Sequence, residues 1–290
     1  MKRFLSLLLV IGLLTGCQAV KVNSSPSNEV KNNLRVTFLN VGQGDAILIQ
    51  TPDNQKYLVD GGPDNTILNK LGEQLSFWDK SLAGIILTHP HADHVGGLPA
   101  VLARYSVAQL WLYPAVHTAP DYLAFLAAAK EKKINTAAIF AGQNLALGGG
   151  VNLQILWPPA DNKDNPAWSK FSDLNSQSVV GRLTFGQTAI LLMGDAPQEV
   201  EQELLKATTT DLTARVLKVG HHGSKYSSSP EFLAAVKPDW AVISVGANNS
   251  FGHPHFRTLY NLQQVSAKIL RTDQAGDIEI VSDGQKVWSN

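Results

Sequence analysis

The sequence has little cysteine and no net charge, and each absence excludes a class of protein. The 290-residue chain has one Cys, so it has no internal disulfide framework and no Cys-rich zinc ribbon. Lys and Arg (24) balance Asp and Glu (24), which removes the global basic field typical of many nucleic-acid-binding proteins. The 23 Gly and 14 Pro residues follow no period, which excludes a collagen-like chain. Any bound metal must therefore be held by carboxylates and by some of the eight His.

Long hydrophobic runs are also missing, and the longest, residues 4–14, is too short for a spanning helix of about 20 residues. A short apolar run after two basic residues is typical of a signal peptide. It ends in Leu-Thr-Gly-Cys, which resembles the lipobox of bacterial lipoprotein precursors. We therefore expect a signal peptide at residues 1–16, then a lipidated Cys17 and flexible tether at residues 17–33, giving an extracytoplasmic, membrane-anchored lipoprotein. An ordinary secretory signal with an incidental Cys17 is the alternative.

Residues 34–290 are expected to form one α/β domain of two packed sheets with helices outside. Apolar periodicity with Pro near the start predicts helices over residues 119–131, 197–206 and 230–236. Short apolar or alternating runs predict strands at residues 34–41, 46–51, 56–60, 83–87, 107–113, 134–140, 151–157, 178–185, 188–193, 213–219, 239–245, 268–271 and 277–282.

Chemically active side chains are concentrated after the predicted strand that ends near Leu87. The segment at residues 88–98, the His loop, carries His89, His91, Asp93 and His94. His89 and His91 alternate, so an extended backbone points both imidazoles to one side. Neutral imidazole and carboxylate are ligands that zinc, manganese and iron accept. The loop is therefore predicted to bind metal, the alternative being a solvated polar turn.

The His-x-His-x-Asp-His run resembles the signature of the metallo-β-lactamase-fold hydrolases. The closer resemblance is to the extracytoplasmic domain of ComEC-type competence DNA-uptake proteins and their free-standing relatives, over about residues 34–282. This resemblance implies an αββα four-layer sandwich with a metal site along the facing sheet ends. Besides the His loop, it is carried by the motifs Phe38-Leu39-Asn40-Val41-Gly42-Gln43-Gly44-Asp45-Ala46, Leu58-Val59-Asp60-Gly61-Gly62, Asn175-Ser176-Gln177-Ser178, Leu192-Met193-Gly194-Asp195, Val219-Gly220-His221-His222-Gly223-Ser224 and Gly252-His253-Pro254-His255.

The resemblance further implies two divalent metal ions, with zinc expected and manganese as the alternative. Asp195 would bridge them, although an Asp before Pro197 is also a favoured helix cap. His221 is expected as a ligand ahead of His222, which would then orient it or touch substrate. The expected metal ligands are His89 and His91 for one ion, Asp93 and His94 for the other, and Asp195 and His221.

The sequence departs from the common family pattern at one ligand. Most members place a further His about twenty residues before the bridging Asp, where this chain offers Asn175 and Ser178, as is typical of the ComEC-like branch. This departure puts a tightly held second metal in doubt. His253 is the candidate to close the site as an additional ligand or to act as a general acid.

Further polar residues are expected to support the ligands or contact substrate. Asp60 ends an apolar strand, where its carboxylate would fix the tautomer of a ligand His, the alternative being a simple turn Asp. Asp45 is likewise expected to support a ligand or contact substrate. Lys218, Ser224 and Lys225 lie near the His pair and would contact phosphate, the alternative for Lys225 being a solvated surface residue.

The predicted mechanism follows from the metals, since coordination lowers the pKa of water to about 7 and the resulting metal-activated hydroxide attacks an electrophilic P or C atom. We expect a phosphodiesterase, either a nuclease or an enzyme that cleaves phosphodiesters in cell-envelope polymers. The partners would then be that nucleic acid or envelope polymer and, through the lipid anchor, the membrane. The alternatives are hydrolysis of a lactone, thioester or β-lactam, which rests on fold analogy alone, and a non-catalytic accessory lipoprotein on the same scaffold. The sequence does not indicate an oligomeric state.

Overall fold

The computed structural model describes residues 33–160, 171, 173–207 and 211–289. The predicted signal peptide, the lipidated Cys17 and the tether up to residue 32 lie outside the described residues. Within these ranges no helix combines the length and apolarity needed to cross a membrane.

Two large mixed sheets form the centre of the fold. The strands of the first sheet are β1 (Leu34–Phe38), β2 (Ile47–Gln50), β3 (Lys56–Val59), β5 (Gly84–Leu87), β7 (Gln109–Leu112), β8 (Asn135–Ala138), β16 (Ile278–Ser282) and β17 (Val287–Ser289). Their order is β17-β16-β1-β2-β3-β5-β7-β8. The pairs from β17 to β3 are antiparallel and those from β3 to β8 are parallel.

The second sheet has the same mixed character. Its strands are β9 (Asn144–Gly148), β10 (Val151–Trp157), β11 (Val180–Phe185), β12 (Thr188–Leu192), β13 (Val216–Lys218), β14 (Trp240–Ile243) and β15 (Lys268–Arg271). They follow the order β15-β14-β13-β12-β11-β10-β9, with parallel pairing from β12 to β15. A small parallel pair is formed by β4 (Ser81–Leu82) and β6 (Ser106–Val107).

Helices cover the outer faces, and local signals explain where several of them begin. α6 starts at Pro230, and Ser229 Oγ accepts a hydrogen bond from Phe232 N (3.4 Å), as an N-cap serine does. α4 likewise starts at a proline. The helices are α1 (Thr66–Gln74), α2 (Ala92–Val95), α3 (Leu98–Arg104), α4 (Pro120–Glu131), α5 (Gln198–Lys206), α6 (Pro230–Val236), α7 (Phe256–Gln264) and α8 (Thr272–Ala275), with short 3-10 helices at Asn175–Gln177 and Gly220–Gly223.

Alternation along the strands divides the core into layers. In β5, Ile85 packs with the helices on the outer face of the first sheet, whereas Ile86 packs between the two sheets. In β13, Val216 lies between the sheets and Leu217 packs with the outer helices of the second sheet. The layers therefore run helix, sheet, sheet, helix, as expected for an αββα four-layer sandwich.

Candidate metal centre

The polar residues singled out in the sequence follow strands at the same edge of the sandwich. Carboxyl ends of parallel strands meet at one edge of a sheet, where open α/β sheets commonly place their sites. Asp60 follows β3, the His loop follows β5, Asp195 follows β12, and His221 and His222 follow β13. Ser244, which no sequence motif indicates, follows β14.

Four of these side chains converge on one point. Asp93, His94, Asp195 and His222, called here the four-residue group, place one ligand atom each within 4.8 Å of one another. Asp195 Oδ2 lies 3.3 Å from the Nε2 atoms of both His94 and His222. Asp93 Oδ2 lies 3.2 Å from His222 Nε2 and 3.9 Å from His94 Nε2. Two imidazoles and two carboxylates therefore face a common centre.

The outward nitrogens of both histidines are held by acceptors. His222 Nδ1 lies 2.9 Å from the carbonyl oxygen of Ser244, which only accepts, so this nitrogen carries a proton. His94 Nδ1 lies 2.7 Å from Asp60 Oδ2, and the same carboxylate accepts from Thr88 N (2.8 Å) and Thr88 Oγ1 (2.6 Å). In the neutral imidazoles each Nε2 atom then carries a lone pair that points at a carboxylate oxygen. Because lone pairs and carboxylates repel unless a cation lies between them, the four-residue group fits a divalent metal.

Without a cation, protons fill the same role. Burial opposes charge on His222, but the Asp195 carboxylate and hydrogen bonds that His222 donates to Asp195 and Asp93 outweigh it and raise the His222 pKa to about 9. Burial likewise opposes charge on His94, yet Asp195 and Asp60 hold its pKa well above the ordinary value. Burial opposes ionisation of Asp195 and Asp93, and the two histidines nevertheless hold both carboxyl pKa values below their usual range. Metal binding therefore competes with protons at this group.

His89 and His91 have different surroundings. His89 Nε2 lies 3.0 Å from His91 Nδ1, a separation that two nitrogens bound to one metal would also have. Burial, and then the nearby His94 charge, hold the His89 pKa well below its usual range. Within the described ranges, no third His, Cys or carboxylate joins this pair in a metal-binding group. The expected ligands for the first metal are thus adjacent, but they form an incomplete set.

Asn175 and Ser178 stand where most members of the family carry a further His, and neither side chain belongs to the four-residue group. Ser178 Oγ accepts a hydrogen bond from the backbone N of Asp195 (3.1 Å), so it supports the Asp195 backbone. Asn175 Oδ1 is buried without a hydrogen-bond partner in this structure. Ser178 therefore acts on the site through Asp195.

The turn that carries His221 and His222 has left-handed backbone at both residues, with φ of 48° and 52°. Non-glycine residues adopt this conformation rarely, and it is commonly maintained at functional sites. It directs His222 Nε2 into the four-residue group, while His221 Nε2 stays 3.8 Å from Asp195 Oδ2 at the edge. This corrects the expected order of the two residues, because His222 takes the position that was expected for His221.

Lys218 and Asp45 form a buried ion pair that the sequence does not reveal. Lys218 is 0% exposed, and its Nζ contacts Asp45 Oδ2 and donates to Gly194 O (3.0 Å). Gly194 O also accepts from His221 N (3.1 Å), so one carbonyl joins the ends of β12 and β13. The expected contact of Lys218 with phosphate is therefore corrected, because its ammonium is enclosed by protein. Asp45 Oδ1 lies 3.5 Å from His222 Nδ1, the same nitrogen that faces the Ser244 carbonyl.

The remaining expected site residues lie around the group. Ser224 is buried and accepts from Tyr226 N (3.3 Å), so it serves its own turn. Lys225 is exposed, with Nζ over the Tyr226 ring. The His253 ring packs against His221 with centroids 5.5 Å apart, so it lines the mouth and does not join the ligand atoms. Burial, together with the His221 and His222 charges, lowers the His253 pKa to about 4.

A close backbone approach fixes the Asp45 loop against the His loop. Asp45 N donates to Asp93 O (3.2 Å). Gly44 has φ of +137°, and a Cβ there would lie 2.1 Å from Asp93 O. A side chain at Gly44 would therefore push Asp93 out of position.

Comparisons with known proteins identify the family of the chain. The sequence model of the metallo-β-lactamase superfamily matches residues 39–247. ComE operon protein 3 of Bacillus subtilis is 32% identical over 261 residues, which is 84% of this chain and 32% of that protein. Competence protein ComA of Neisseria gonorrhoeae is 29% identical over 272 residues, which is 92% of this chain and 34% of that protein. The chain thus spans about a third of the length of these curated relatives.

Solved structures show the same fold at low identity. The metallo-β-lactamase fold protein YhfI from Bacillus subtilis is 13% identical, with 89% of this chain and 100% of YhfI covered and a TM-score of 0.54. Igni18, a metallo hydrolase from Ignicoccus hospitalis, gives a TM-score of 0.54 at 14% identity over 85% of this chain and 98% of its own. The chain belongs to the metallo-β-lactamase superfamily, with ComEC-type competence proteins among its relatives.

Proposed function

We propose that this protein is a metal-dependent phosphodiesterase of the nuclease type. The observation that carries the proposal is the convergence of the four-residue group with both histidine Nε2 lone pairs turned inward. Such a set holds a divalent cation, which when bound acts as a Lewis acid on a phosphoryl oxygen and lowers the pKa of water. The proposed hydrolysis needs no Ser or Cys nucleophile from the chain.

The chain's own residues orient the ligands. Asp60 and the Ser244 carbonyl keep the protons of His94 and His222 on Nδ1, which leaves Nε2 free on each ring. Lys218 binds Gly194 O and Asp45, which keeps the strand ends that carry Asp195 and His222 in register. Preorganised ligands of this kind reduce the cost of ordering the site during reaction.

Two edge histidines form the wall that a substrate would touch. His221 is partly exposed, and its Nε2 lies 3.8 Å from Asp195 Oδ2. His253 packs against it from the loop after β14. We propose that these rings contact the substrate on either side of the scissile bond.

The phosphodiester class is supported by the names of the relatives and by the chemistry of the ligands. Competence protein ComA and Recombination protein 2 of Haemophilus influenzae (29% identical over 257 residues) carry names that point to DNA. Carboxylate and imidazole ligands hold hard or borderline cations, which suit a phosphoryl oxygen. An envelope polymer with phosphodiester links would meet the same chemistry.

The cellular location is part of the proposal. We propose that Cys17 is lipidated and that the domain acts outside the cytoplasm at a membrane. Mass spectrometry of the N-terminal peptide from membrane-extracted protein should show an acylated Cys17, and Cys17→Ser should move the protein to the soluble extracytoplasmic fraction. Retention of the Cys17→Ser protein in the membrane would contradict the anchor.

One parallel assay tests the chemistry. Purified protein loaded with zinc or manganese is incubated with bis(p-nitrophenyl) phosphate, single-stranded DNA, nitrocefin and an acyl-glutathione thioester. Cleavage of the two phosphodiesters is expected. Cleavage of nitrocefin or thioester alone would contradict the proposal, and bound metal without turnover on any substrate would favour a binding role.

A further inference from the structure

An exposed aromatic ring stands at the mouth of the metal centre. Phe251 lies in the loop between β14 and α7 and is 67% exposed. This loop begins at Ser244, whose carbonyl accepts from His222 Nδ1. The loop that displays Phe251 therefore also supports one of the four converging ligands.

Ring contacts connect Phe251 with the four-residue group. The Phe251 ring stacks on His253 with centroids 5.9 Å apart and an interplanar angle of 27°. His253 in turn meets His221 edge to face at 5.5 Å, and His221 Nε2 lies 3.8 Å from Asp195 Oδ2. Phe251 and His253, called here the Phe251 shelf, are thus connected through His221 to the four-residue group.

The shelf is held by a dedicated set of hydrogen bonds. Asn249 Oδ1 accepts from the backbone N of Phe251 (3.1 Å) and of His253 (3.0 Å). Asn249 Nδ2 donates to the carbonyls of Gly246 (3.0 Å) and His253 (2.6 Å). One side chain therefore satisfies four backbone groups of this loop, which keeps a large apolar ring fixed in water.

A fixed, exposed ring beside a phosphodiester centre has a specific chemical use. Aromatic side chains bind single-stranded nucleic acids because every unpaired base offers a flat face for stacking, at about 1–3 kcal/mol per base. Base pairs in a duplex are already stacked, and a polyol-phosphate polymer has no flat ring. The neighbouring His253 and His221 rings continue this aromatic surface toward the four-residue group.

We infer that the Phe251 shelf binds an unpaired nucleobase next to the scissile phosphodiester, so that the substrate class is single-stranded nucleic acid. This inference rests on the proposed phosphodiesterase function and chooses between its nucleic-acid and envelope-polymer forms. Asn249 is a positioning residue, since it acts on the base only through Phe251 and His253.

The test measures binding separately from turnover. Fluorescence anisotropy is recorded for the metal-loaded full chain with a labelled eight-nucleotide oligothymidine and with an abasic oligomer of the same length. The variants are Phe251→Ala, Phe251→Trp and Asn249→Ala, and the matched control is Phe77→Ala, which removes an exposed aromatic (74% exposed) in the loop after α1. Circular dichroism checks that each variant is folded.

Wild type should bind the thymidine oligomer about 10-fold more tightly than the abasic one, and Phe251→Ala should remove this preference. Phe251→Trp should retain the preference, Asn249→Ala should weaken it, and Phe77→Ala should leave it unchanged. Equal affinity of wild type for both oligomers, no binding of either, or an unchanged preference in Phe251→Ala would overturn the inference. Failure of the phosphodiesterase proposal is recognised independently, as absence of cleavage of any phosphodiester despite base-dependent binding.

Discussion

The two halves of the His loop differ in what the rest of the chain adds to them. Asp93 and His94 are joined by Asp195 and His222 from two other strand ends, and both rings are oriented by acceptors on Nδ1. His89 Nε2 lies 3.0 Å from His91 Nδ1 and the His89 ring packs against His94, but within the described residues no carboxylate joins this pair in a metal-binding group. Local spacing thus supplies candidate ligands, but a cation site is completed by residues that the fold brings from far along the chain.

The largest effect is expected from the shared carboxylate. Asp195→Asn removes the charge that both Nε2 atoms face, so metal content should fall to background and turnover by more than about 100-fold. Metal content is measured by inductively coupled plasma mass spectrometry on dialysed protein. Asp239→Asn, which alters an exposed ion pair with Arg215, is the matched control. Normal metal content in Asp195→Asn would contradict the site.

The neighbouring histidines should separate clearly. His222→Ala should lose the tightly bound metal, because it removes an inward Nε2 of the four-residue group. His221→Ala should keep the metal and lose activity only in part, because its Nε2 stays at the edge. The opposite pattern in metal titrations would restore the assignment expected from the sequence.

A smaller effect is expected from changing Asp60, a residue that supports a ligand. Asp60→Asn weakens the acceptor that orients His94, and loss of such a partner typically costs about 10- to 100-fold in metal affinity. Competition with a chromophoric chelator measures the change. An unchanged affinity would show that Thr88 and the surrounding packing suffice to hold the ring.

The His89–His91 pair gives a second test of the difference between the two halves of the His loop. Titration of the metal-free protein should show one tight and one weak binding step, because four ligand atoms converge in the four-residue group whereas His89 and His91 supply only two. His89→Ala should abolish the weak step and leave the tight one. Loss of the tight step in His89→Ala would show that the two halves form one cooperative site.

The smallest effect concerns protons in the metal-free protein. Because its folded-state pKa is about 9, His222 stabilises this form fully below pH 6.5, and that contribution is lost as the pH rises through 9. The melting temperature of chelator-treated protein should therefore fall between pH 6.5 and 9. His222→Gln should flatten this part of the curve, and an unchanged slope would contradict the assigned cause.

Much of the fold follows from local patterns in the sequence. Helices predicted at residues 119–131, 197–206 and 230–236 are found at Pro120–Glu131, Gln198–Lys206 and Pro230–Val236, because Pro near each start marks the boundary. Helix α7 was not predicted, since its N-cap is His255, whose Nδ1 accepts from Arg257 N (3.2 Å). A His cap is not among the usual signals. The strands β9 and β17 were also not predicted, and each is a partly exposed strand at the edge of its sheet.

The candidate site was predictable as a set of residues and not as a geometry. Spacing identifies the His loop, but the choice between His221 and His222 depends on a left-handed turn that no local pattern indicates. Lys218 follows buried positions in a strand, so only the fold shows that its ammonium meets Asp45. The Ser244 carbonyl is a backbone atom, and sequence reasoning about side chains does not reach it.

Anomalous X-ray diffraction from crystals grown with manganese or zinc tests the central claim most directly. The account predicts a strong peak within bonding distance of His94 Nε2, His222 Nε2 and carboxylate oxygens of Asp93 and Asp195. Absence of a peak there at saturating metal, or a principal peak elsewhere in the molecule, would contradict it.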